Sequence, residues 1–98
     1  MDIEKNKDGS KLEIKIIGRL DTITAPELTE NLKEDLQSIE ELTLDLSQLV
    51  YISSAGLRVI LSTQKIMNKQ GVMIIKNVQD MVMEVFDATG FSEILTIE

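Results

Sequence analysis

A chain of 98 residues that is 43% apolar, with only three aromatic side chains, can fill one domain with an aliphatic core. It has no cysteine and no histidine, which removes disulfides, thiolate chemistry, the commonest general base and the commonest transition-metal ligand. A net charge of −7, from 17 acids against 10 bases, opposes both phosphate backbones and anionic lipid surfaces.

Leu12, Ile14 and Ile16 alternate with Lys11, Glu13 and Lys15, the period-two pattern of a strand with one wet face. Asp2–Asn6 is placed as its hairpin partner across the turn-like Lys7-Asp8-Gly9-Ser10, and Gly18 is expected to end the strand. Thr24-Ala25-Pro26-Glu27 reads as a helix start with a reciprocal Thr–Glu cap. Leu28, Leu32, Leu36 and Ile39 follow on one helical face. Leu42, Leu44 and Leu46 mark a second strand, after which a short loop is expected.

Ser53 or Ser54 then opens a long helix running to about Gln70 and closed by Gly71. Leu57, Ile60, Leu61 and Met67 share its core face, while Ala55, Val59, Ser62 and Ile66 lie nearly opposite, as a candidate docking patch. Val72–Ile75 is a continuous apolar run, read as a central strand and far too short to span a bilayer. Val78, Met81, Val82, Val85 and Phe86 form the stripe of a third helix ended by Thr89-Gly90, with Met83 off the stripe as an incidental residue. Ile94–Ile97 is taken as a last short strand. No linker or repeat interrupts the series.

The fold class is therefore α/β, a single domain over residues 1–98. Its sheet should be mostly parallel, four- to five-stranded, with an antiparallel edge, packed against three to four helices. Nothing calls for a cofactor or a metal. The opening Met-Asp-Ile-Glu has the wrong charges for a secretory signal, so the cytoplasm is the expected location.

The stretch richest in chemistry is Asp45–Val59. Small hydroxyl residues sit where a helix begins, and a helix N-terminus offers unpaired amides and roughly half a positive charge. Ala55 and Gly56 leave Ser54 uncrowded, so a phosphate there could be held without melting the helix. Serine is also a favoured cap with no further role. Neither a phosphate-binding glycine loop nor a Gly-x-Ser-x-Gly nucleophile turn is present, and Asp45 and Asp21 read as structural and turn-forming.

Three segments carry a family resemblance. Gly18-Arg19-Leu20-Asp21 with Ala25-Pro26-Glu27-Leu28, then Asp45-Leu46-Ser47 through Tyr51-Ile52-Ser53-Ser54-Ala55-Gly56-Leu57, then Val85–Phe91, resemble in order the STAS domain of bacterial anti-sigma-factor antagonists. The resemblance implies a protein, not an enzyme, that binds an anti-sigma factor with serine kinase activity and so frees a sigma factor. Phosphorylation of the serine matching Ser54 ends the binding, and a serine phosphatase restores it. It also implies a contact surface drawn from Asp21, Thr22, Ser53, Ala55, Gly56, Arg58 and Val59. Many members carry Asp where Ser53 stands and Ser or Thr where Ala55 stands. A non-phosphorylated STAS scaffold or sensor subunit, docking a larger signalling or transport assembly, is the alternative reading. An enzyme acting on a phosphorylated small molecule is the remaining one, and no acid–base pair supports it.

Overall fold

The computed structural model describes residues 1–98. Four strands, β1 (Asp2–Asp8), β2 (Lys11–Leu20), β3 (Glu41–Ile52) and β4 (Val72–Lys76), lie in the order β1-β2-β3-β4. β1 pairs antiparallel with β2, and the other two pairs are parallel. The parallel connections run through α1 (Ala25–Asp35) and α2 (Ser54–Asn68), and α3 (Asp80–Thr89) and α4 (Phe91–Ile94) complete the chain. The expected mixed sheet with an antiparallel edge is present, at four strands and four helices.

Alternation in the strands becomes two unlike faces. Leu12–Leu42–Met73 and Ile14–Leu44–Ile75 are in register across the sheet, and all six are buried. Leu28 and Leu32 of α1, Leu57, Ile60 and Met67 of α2, and Val82 and Phe86 of α3 join them in one core cluster. Behind that face runs the polar row Lys15–Asp45–Lys76.

Several local expectations are corrected. Gly18 does not end β2. At φ +103 it sits within the strand at a shift of register, because glycine takes a positive φ that lets a strand bulge instead of stopping. Residues 47–52 are not a loop: β3 continues through them to Ile52. Thr24 does stand at the start of α1 but makes no side-chain cap, and α1 ends at Asp35, with Leu36–Ser38 as a 3-10 turn. β4 is no central strand. It is an edge with Val72 exposed, bordered only by a single bridge from Ile97 to Ile75, while Ile94 belongs to α4. Of the methionines in α3, Met81 is the exposed one, and Met83 packs against the core.

Asp45 stands on the polar row yet is buried, with 7% of its surface exposed. Burial opposes its ionisation. The Ser47 N–H, donating to Oδ1 at 2.9 Å, and the Asn77 side-chain amide at 3.4 Å outweigh that and hold the carboxyl below its ordinary value of 3.8. Asp45→Ala is expected to cost about 1–3 kcal/mol at neutral pH, since both donors lose their acceptor. The folded pKa is lowered, so this contribution is complete above the ordinary value and is lost as the pH falls through the lower folded one. Urea titrations of wild type and variant should therefore converge in strongly acid buffer. A gap that stays constant would assign the cost to packing.

Candidate functional site

β2 and β3 end side by side. The register pairs Arg19 with Tyr51 and Leu20 with Ile52, so the segments that leave the two strands lie together. One is the turn Asp21–Thr24, and the other is Ser53 with the first turn of α2. The Ser53 N–H donates to the Leu20 carbonyl at 2.9 Å and ties the second segment to the first.

Either serine could have capped α2 on sequence grounds, and the argument from first-turn amides puts Ser54 at the cap with Ser53 outside the helix. In the structure Ser53 is the cap. Its backbone is extended, at φ −101 and ψ 177, and its Oγ accepts from the Gly56 N–H at 3.5 Å. Ser54 is the first residue inside α2. It is exposed, and its hydroxyl makes no hydrogen bond within the chain. The reason is positional: the strand runs past the expected loop, through residues 47–52 to Ile52, so the extended residue before the helix is Ser53.

Gly56 allows this approach. A Cβ there would lie 2.8 Å from the Leu20 carbonyl oxygen and 2.8 Å from Ile52 Cγ1, so only glycine lets α2 start hard against the end of β2. Gly56 is buried, and Ala55 and Val59 are half-buried against the core. These three shape the surface from below. Arg58 is exposed, one turn after Ser54. Val59 and Ile66 line a cleft between α1 and α2; Ser62 and Ile66 of the expected patch are exposed, while Ala55 and Val59 are half-buried against the core.

Asp21 organises the facing turn. Its Oδ1 accepts from the Thr24 N–H at 3.1 Å and the Ile23 N–H at 3.0 Å. Thr24 Oγ1 accepts from the Asp21 N–H and donates to the Arg19 carbonyl, each at 2.9 Å, so the hydroxyl meant for a helix cap serves the turn instead. The Thr24 N–H first, then the Ile23 N–H and the Arg19 guanidinium 3.7 Å away, hold the Asp21 carboxyl below the usual carboxylate range. Thr22 and Ile23 project from the tip, and Ile23 is 86% exposed.

Arg19 also lies over the Tyr51 ring, 4.1 Å from its centroid. Sequence reading missed Arg19, Ile23, Val50 and Tyr51 as surface residues of this end of the sheet. Ile23, a lone isoleucine in a polar turn, gave a signal. The Arg19–Tyr51 pair gave none, because two register shifts decide which residues meet.

The STAS domain profile matches residues 2–98. The chain belongs to the STAS domain family. Among its relatives is the anti-sigma-B factor antagonist of Bacillus subtilis strain 168, 30% identical over 98 residues, covering 99% of this chain and 88% of that protein. The fold matches an anti-sigma factor antagonist from Mycobacterium paratuberculosis with a TM-score of 0.88 at 18% identity, covering 98% of this chain and 83% of that one. It also matches the Bacillus cell fate determinant SpoIIAA in its phosphorylated form, at TM-score 0.77 and 14% identity, over 99% of this chain and 91% of that one. No helix of this STAS chain is long and apolar enough to cross a membrane.

Proposed function

We propose that this chain is a cytoplasmic anti-sigma-factor antagonist that acts by binding. Unphosphorylated, it engages an anti-sigma factor with serine kinase activity and frees a sigma factor. Transfer of the γ-phosphoryl group of ATP to Ser54 Oγ, with loss of the hydroxyl proton and release of ADP, ends the binding until a serine phosphatase hydrolyses the ester. The observation that carries this reading is the exposed, unpartnered Ser54 hydroxyl on the first residue of α2, beside the Asp21–Thr24 turn. The relatives named anti-sigma-B factor antagonist support the partner class, and the phosphorylated SpoIIAA structure supports the kind of switch. Asp21, Thr22, Ser53 and Arg58 form the contact surface around the serine, over Ala55, Gly56 and Val59.

Two adjacent hydroxyls compete for the kinase, and the caps separate them. Ser53 Oγ is engaged with the Gly56 N–H, whereas Ser54 Oγ is free. Incubation with a purified anti-sigma-factor serine kinase and ATP, followed by phosphopeptide mass spectrometry, should place the label on Ser54 with little on Ser53. Label mainly on Ser53 would show that the wrong serine has been assigned. No label from a kinase active on its own antagonist would favour the scaffold reading, in which the domain docks a larger assembly without modification.

A further inference from the structure

A second surface lies on the other side of Tyr51. The end of β3 and α3 enclose a groove of about 300 Å³, lined by Val50, Tyr51, Met81, Val82 and Val85 with Glu84 as its single charged residue. Met81 is 67% exposed, Val50 49% and Tyr51 38%. Single exposed apolar side chains are ordinary, but these three line one concavity, and contiguous apolar surface marks a place where something docks.

The charged side chains of α3 beside it are all acidic. Asp80, Glu84 and Asp87 stand exposed on α3, and residues 77–98 hold five acids and no lysine or arginine, so they contribute five of the seven net negative charges. Arg19, the cation stacked on Tyr51, already faces Asp21. An apolar floor with an acidic helix beside it complements a segment that is apolar on one face and basic beside it, and repels an anionic lipid surface.

We propose that this groove is a docking site for a basic amphipathic helix of a partner protein, with apolar side chains seated on Val50, Tyr51 and Met81 and a lysine or arginine against Glu84. Ser54 is not among its lining residues.

The probe is a synthetic helical peptide with leucines on one face and lysines on the other, titrated into the isotope-labelled full chain. Amide resonances of Val50, Tyr51 and Met81 through Val85 should move. Glu84→Lys and Met81→Ser, both at exposed positions, should each weaken binding about tenfold. Glu27→Lys, the same charge change on exposed Glu27 of α1, should leave it within about twofold, which separates the groove from net charge. Equal weakening by Glu84→Lys and Glu27→Lys, shifts centred elsewhere, or no shift at peptide excess would overturn the proposal. So would binding of phosphatidylglycerol vesicles through the same amides. Neither serine is read by these measurements, so the result stands apart from the phosphate mapping.

Discussion

Ser54→Asp should bind the anti-sigma factor about thirtyfold more weakly than wild type, a loss of ~2 kcal/mol. The fold has little part in that loss. Ser54 is exposed at the first position of α2, where a carboxylate is favoured by the helix dipole by about 0.3–1 kcal/mol, so the variant should melt no lower than wild type. The loss arises at the surface. Asp21, whose carboxyl is held ionised by the Thr24 and Ile23 amides, lies in the adjoining turn, and a second anion turns a mostly neutral contact into a repulsive one that must also be desolvated. Ser54→Ala keeps the neutral surface and should bind like wild type while escaping the kinase. Titration calorimetry on the two variants decides the matter. Equal affinity for both would separate Ser54 from the contact.

Gly71→Ala is the substitution expected to damage the fold most. Its N–H donates to the Met67 carbonyl at 2.7 Å as α2 closes, and the next N–H, of Val72, donates to the Glu40 carbonyl at 2.9 Å to begin β4. A Cβ on residue 71 would overlap that Glu40 carbonyl oxygen and lie 2.6 Å from its carbon. The clash is with the backbone of Glu40, the residue before β3, so nothing soft can yield. Relief means parting β4 from β3 at the Glu41–Val72 end of their register. We expect a cost of about 3–5 kcal/mol, or roughly a 15–30 °C drop in Tm for a domain this size. Gly9→Ala is the control. Gly9 has φ +63 but nothing within 4 Å of a Cβ, so only the strain of a left-handed alanine applies, about 1 kcal/mol. Thermal unfolding followed by circular dichroism reads both. Similar Tm values would show that α2 and β4 separate easily at this junction.

The reason for Gly71 shows where local reading stops. The sequence places a glycine at the end of an amphipathic helix, and the general expectation is a left-handed cap. Gly71 does not have a positive φ, whereas Gly90, at the end of α3, has φ +81. The two glycines look alike along the chain. Only the approach of Glu40, some thirty residues away, distinguishes a close contact from a turn. Met81 and Met83 repeat the lesson. Both lie about 100° from Val82 on a helical wheel, and the way α3 is laid against the end of β3 covers one and exposes the other.

By itself the sequence determined most of the element types and most of the core. Period-two alternation at Leu12–Ile16 and Leu42–Leu46, and helical spacing at Leu28, Leu32, Leu57, Ile60 and Met67, report which side of each segment leaves water, and burial of apolar area is a property each segment carries on its own. The three motif segments likewise placed the chain in its family. The tertiary structure alone decided what lies across from what. Register shifts at Ile17 and Arg19 brought Arg19 over Tyr51, the length of β3 made Ser53 the cap and left Ser54 free, and the sheet order put β4 at an edge. Those outcomes depend on hydrogen bonds and close approaches between residues far apart in the chain, so no pattern within one segment can encode them.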